Sequence, residues 1–187
     1  MYGITLDKQR VKNMIDDFHT VTNIRIAFFT HEQKEYISMP KEPALFCKML
    51  RQDNHFYQKC KACDNIAFTQ AQRNKSLYLY ECHVGLHEAV APILYEGELL
   101  GYLMLGQVLP QMPCEALWQQ IYHRCEKAQV DFAALKDAFF KLHYLDKAKI
   151  HAAARMMSTN AKYIHLSQLI KIHQLPTIEK LKQYDKM

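Results

Sequence analysis

The run from Glu88 to Val108 sets the tightest limit on what this chain can fold into. Two segments rich in apolar residues, Glu88 to Tyr95 and Glu98 to Val108, meet at Glu96-Gly97-Glu98, a tight-turn composition that predicts a long antiparallel pair. A lone hairpin is marginal in water, so further strands and a covering layer must come from elsewhere in the chain. Ser76 to Cys82, rich in Tyr and Leu, supplies a third strand. Ile24 to Phe29 and Tyr36 to Met39, on either side of the polar stretch Thr30 to Glu35, supply a second hairpin. The cover is helical. Leu6, Val11, Met14, Ile15, Phe18 and Val21 recur at helical spacing behind Thr5 as an N-cap, and Pro43 starts a short helix carrying Leu45, Phe46, Cys47 and Leu50. Another helix runs from about His55 to Arg73. After Pro110 the pattern is helical throughout, with Trp118, Ile121 and Cys125, then Phe132, Leu135, Phe139 and Leu142. The order predicts an α+β fold, a five-stranded antiparallel sheet with helices inserted after the second strand.

At 187 residues the chain has room for one core. Its formal charge of +5 is unevenly placed: residues 1–146 hold 16 Lys and Arg against 17 Asp and Glu, while residues 147–187 hold 8 against 2. A body near neutrality does not suit nucleic-acid binding, where phosphate contacts dominate affinity. The basic tail reads as the solvated face of a helix or as a contact for nucleic acid or an anionic surface. From Asp146 to His173, Ile150, Ala154, Met157, Ala161, Ile164 and Gln168 alternate in four- and three-residue steps. That spacing fits a helix forming a homodimer seam, and equally an amphipathic helix packed on its own sheet. No apolar stretch is long enough to span a membrane and the first ten residues lack a signal-peptide pattern, so a cytoplasmic location is expected.

Four of six cysteines fall in the first half as Cys47, Cys60, Cys63 and Cys82, spaced Cys-x12-Cys-x2-Cys-x18-Cys. Thiolates are soft donors, and four of them could hold zinc or an iron-sulfur cluster, giving a metal- or redox-responsive regulator. The same residues are also typical of an apolar core. Cys114 and Cys125 read as packing residues. No phosphate-binding Gly-rich loop, Gly-x-Ser-x-Gly element or pair of carboxylates in an apolar setting is evident. Cys82 and His83, adjacent on a strand, would face opposite ways, which does not suit a nucleophile and its base. The sequence therefore points away from an enzyme.

The segments Phe46-Cys47, Cys60-Lys-Ala-Cys-Asp64, Cys82-His-Val-Gly-Leu86, Pro92-Ile93 and Gly106-Gln107 together resemble the PocR sensory domain, over roughly residues 5 to 170. The resemblance implies a PAS-like ligand-sensing domain of prokaryotic regulators, recognising small hydrocarbon derivatives such as propanediol. Such domains are joined to an AraC-type helix-turn-helix pair or to a histidine kinase. Residues 1–146 would form the sensor core and residues 147–187 a basic helical extension. This chain is expected to be the N-terminal sensor of an AraC-type regulator or a stand-alone sensor, meeting DNA only through a separate output domain. In a PAS-like pocket, Phe46, Tyr78 and Tyr80 would enclose the carbon skeleton. His83 and Gln107 would orient a hydroxylated or carboxylated small-molecule ligand.

Overall fold

A computed structural model describes residues 8–162 and 164. In chain order the elements are α1 (Lys8–Thr22), β1 (Arg25–Thr30), β2 (Glu35–Met39), α2 (Leu45–Leu50), α3 (Asn54–Asn74), β3 (Tyr78–Glu81), β4 (His87–Tyr95), β5 (Glu98–Val108), α4 (Glu115–Cys125) and α5 (Phe132–Phe140). A further helix, α6, occupies 147–162. The strands form one antiparallel sheet in the order β2-β1-β5-β4-β3, the PAS-like α+β arrangement expected. The central hairpin turns on Glu96 and Gly97, both at positive φ (47° and 88°), the mirror-image geometry that matches strand twist.

Alternation along the strands divides the apolar side chains between two faces. On the back face Ile26 and Phe28 of β1, Ala89, Ala91 and Ile93 of β4, and Leu103 and Leu105 of β5 pack on Val11, Ile15 and Phe18 of α1. The same core takes in Ile150, Ala153, Ala154, Met157 and Ala161 of α6, with Ile164 packed against it. The residues that could have formed a dimer seam are thus used within the chain, because their apolar stripe meets the chain's own sheet first. Helix 147–162 packs in the same core as the strands. The expected stretch to His173, the basic tail beyond it and the Thr5 cap lie outside the described residues.

On the front face Ala67, Phe68 and Ala71 of α3 lie over Val90 and Tyr102, with Phe29, Tyr78, Tyr80 and Met104 around them. A third cluster closes one end of the sheet, where α2, α4 and α5 bury Phe46, Leu50, Trp118, Ile121, Leu135 and Phe139 against Val84, Leu86 and Leu109. Asp53 starts α3 by accepting hydrogen bonds from the backbone N–H groups of His55 and Phe56, at 2.8 and 3.3 Å. No helix among the described residues is long and apolar enough to cross a membrane.

Candidate functional site

The front face is incompletely filled. Where α3 diverges from the strands, a cavity of about 400 Å³ opens between α3 and the start of β1, the start of β4 and the end of β5. That volume lies within the range of small-molecule sites, roughly 300–1,000 Å³. Phe29, Phe68 and Met104 give it an apolar wall, while Arg25, Arg51, Asp64, Glu88 and Gln107 converge from five different parts of the chain. Glu88 and Gln107, each 6% exposed, are the two polar side chains fully buried among the described residues, and both face this cavity.

Each polar group is placed by a local cause. Arg25 and Gly106 are register partners on β1 and β5, so Arg25 crosses a position without a side chain. Gly106 also makes room for the carboxyl: a Cβ there would stand 2.7 Å from Glu88 Cγ. Tyr80 and Glu88 are partners across β3 and β4, and Tyr80 Oη lies 2.6 Å from Glu88 Oε2 and 3.0 Å from Asp64 Oδ1. Asp64, on α3, is thereby joined to the sheet through a single phenol. Arg25 Nη2 donates to Glu35 at 2.8 Å. Arg51, in the turn after α2, lies against the Cys60 thiol and takes part in none of the salt bridges among the described residues. Nε of both arginines is buried without a protein partner.

The electrostatics follow from this burial. Loss of water, and then the neighbouring Asp64 charge, push the Glu88 carboxyl up to about 7. Burial likewise raises Asp64, against the Tyr80 hydrogen bond and the Arg51 charge. Burial first, then Lys59 and Arg51, push His83 down to about 4, so its imidazole is neutral.

Of the residues expected to contact ligand, Gln107 alone lines the cavity. Its Oε1 accepts the Ala44 N–H at 2.7 Å, which also fixes the start of α2. Tyr80 reaches the cavity through the two carboxyls it bridges. His83 stands one layer away, with Nε2 3.2 Å from Cys60 Sγ, and Cys60 is itself in the wall. Tyr78 stacks on Tyr80 at 6.0 Å instead of facing the cavity. Phe46 is fully buried beside Phe139 in the end cluster, because the apolar side of the six-residue α2 points to α4 and α5.

The four-cysteine ion site is not assembled. Among the described residues no group of three or more His, Cys, Asp or Glu side chains is placed to hold a metal ion. Cys47 is buried in the end cluster and Cys82 packs against it, while Cys60 and Cys63 sit half-buried on α3. Burial raises all four thiols above their ordinary value, favouring the protonated form over the thiolate that binds metal. The zinc or iron-sulfur expectation thus gains no donor geometry.

Sequence reasoning missed Arg25, Arg51, Asp64 and Glu88. A signal existed for Glu88, a carboxylate in the apolar run of β4, and for Asp64, which closes the quoted Cys-Lys-Ala-Cys-Asp64 step. Arg51 carried none, since it lies between two helices where periodicity says nothing.

The chain is 23% identical over 152 residues to the regulatory protein PocR of Salmonella typhimurium, an alignment covering 81% of this chain and 49% of that protein. It therefore spans about half the length of that curated relative. A solved structure of a GAF domain/HD domain protein from Geobacter sulfurreducens superposes with a TM-score of 0.40 at 12% identity, covering 67% of this chain and 93% of that one. The sequence profile of the sensory domain found in PocR matches residues 5–169, a span that includes every strand and the whole cavity wall. The chain belongs to the PocR sensory domain family.

Proposed function

We propose that this chain is the sensory part of a prokaryotic transcription regulator of AraC type, and that the cavity under α3 binds a small hydroxylated or carboxylated hydrocarbon derivative. One observation carries this reading: the two polar side chains fully buried among the described residues, Glu88 and Gln107, face the same cavity, joined there by Arg51 with a buried donor lacking a protein partner. Buried polar groups of this kind cost stability when unpaired and are retained where they recognise something. The relative's name as a regulatory protein, and the half of its length beyond this alignment, support a separate output region. Ligand recognition in such a module works by differential affinity for two conformations rather than by chemistry on the ligand.

The test is a thermal-shift screen with short diols, hydroxy acids and carboxylates, followed by calorimetric titration of each hit on the wild type and on Arg51→Ala and Glu88→Gln. Binding is expected to weaken by roughly tenfold or more in Arg51→Ala, where a charged hydrogen-bond partner is removed, and to change in Glu88→Gln. Unchanged affinity in both variants would place the ligand elsewhere.

A further inference from the structure

The cavity's charges can be counted individually. Arg25 is paired with Glu35 and Glu32 with Lys34, while Lys61, over the Tyr57 ring, is exposed and its charge is screened by solvent. What remains is Arg51 on one side and the Asp64 and Glu88 carboxyls, held by Tyr80, on the other. A phenol has one proton to donate, yet Tyr80 Oη is within hydrogen-bond distance of an oxygen of each carboxyl. The second contact is a hydrogen bond only when that carboxyl carries a proton. Asp64, Tyr80 and Glu88 thus form one unit with a shared proton and a single negative charge, balancing Arg51.

Resting on the reading of this cavity as the ligand site, we infer that it takes a small hydroxycarboxylate in preference to the neutral diol of the same skeleton, and takes it together with a proton. The ligand carboxylate pairs with Arg51, whose planar fork and unpartnered Nε suit a two-oxygen anion. The proton goes to the carboxyl unit. Without it, the anion would face the buried carboxyl unit with one negative charge more than Arg51 balances. Burial and the mutual repulsion of Asp64 and Glu88 already bias that unit toward taking up the second proton. The other titratable and charged groups acting on the unit are Arg25 on β1, Glu35 on β2, Cys47 on α2, Arg51, Cys60 and Cys63 on α3, and Cys82 after β3. The one carboxylate among these, Glu35, is held by Arg25. A neutral diol would instead donate its hydroxyls to the ionised carboxylate, lower its proton affinity, and leave Arg51 without an anion.

The sign of proton exchange therefore separates the two ligand classes. L-lactate and 2-hydroxybutyrate, each beside the diol of the same carbon skeleton, are titrated calorimetrically into the full chain at neutral pH, in two buffers of different ionisation heat. The hydroxycarboxylates are expected to bind at least about tenfold tighter than the diols, as one charge-assisted pair confers, with proton uptake. Glu88→Gln is expected to abolish the uptake. Diols binding as tightly or more tightly, or hydroxycarboxylates binding without uptake, would overturn the inference while leaving the cavity as the ligand site. If neither class binds, the proposed function falls with it. Independently of any ligand, infrared spectra of the wild type minus Glu88→Gln should show a protonated-carboxyl band at neutral pH, and its absence would overturn the shared proton.

Discussion

Glu88 and Gly106 act as one device, a buried carboxyl and the missing side chain that admits it. Gly106→Ala places a methyl 2.7 Å from Glu88 Cγ and 3.0 Å from its Cδ, against a group already held by Tyr80. We expect a loss of about 1–3 kcal/mol in chemical denaturation, the usual cost of overpacking. The carboxyl also gives stability a pH dependence of defined sign. Its value rises from an ordinary 4.5 to about 7 on folding, so the native state binds more protons than the unfolded chain between those limits. The contribution is fully present below about 4.5 and is lost as pH climbs through 7. His83 works on the acid side: held down to about 4, it removes stability as pH falls from 6.5. The stability difference between the wild type and Glu88→Gln, read from urea midpoints, should shift in the variant's favour as pH rises from about 5 to about 8, because only the wild type loses the carboxyl's contribution there while His83 acts on both alike. An unchanged difference would show that another group titrates there. The sequence reading found no carboxylate pair because Asp64 and Glu88 lie on different elements and meet only through the pairing of β3 with β4. Strand periodicity identifies a buried position, but not what stands across from it.

Among the elements, the hairpins and the long helix α3 were legible because their punctuation is local: Glu96-Gly97 turns β4 into β5, and Asp53 caps α3. Asp53 does more than periodicity could tell. Its Oδ1 receives the two N–H groups of α3 while its Oδ2 accepts from Gln129 N at 2.8 Å, tying the helix to the loop between α4 and α5. Asp53→Ala should cost about 1–2 kcal/mol, at the upper end for a lost cap. Hydrogen exchange should speed up at residue 129 as well as at 55 and 56; acceleration confined to the helix would show that the bridge contributes nothing. Short elements were harder to read. In the six residues of α2 an apolar stripe has no clear phase, so the pocket expectation for Phe46 rests on the resemblance, and the packing of α4 and α5 takes the ring into the end cluster. Gln107, expected as a ligand contact, also accepts the Ala44 N–H and so ties the end of β5 to the start of α2.

For the molecule as a whole, the decisive arrangement is a single sheet with α3 over the cavity on one side and α1 with α6 on the other. A heptad-like stripe reads the same whether its partner is a second copy or the chain's own strands, which is why the role of α6 was open in the sequence. Ala154 is fully buried in that core. Ala154→Glu is therefore expected to unfold the protein, since an unpaired buried charge costs several kcal/mol, with circular dichroism losing its cooperative transition. A folded variant whose only change was a smaller mass in light scattering would restore the dimer seam.

The placement of α1 and α6 also decides how the protein can be handled. Both described ends of the chain run along the back face, and near residue 162 helix α6 borders Lys75 and Leu94, at the opposite end of β4 from Glu88. The interval from Glu88 to Leu94 spans about 20 Å of strand. A fluorophore, an affinity handle or a sensor-chip linkage fixed at the exposed Lys162 would thus sit behind the sheet, leaving the cavity open to solvent and to whatever is titrated into it.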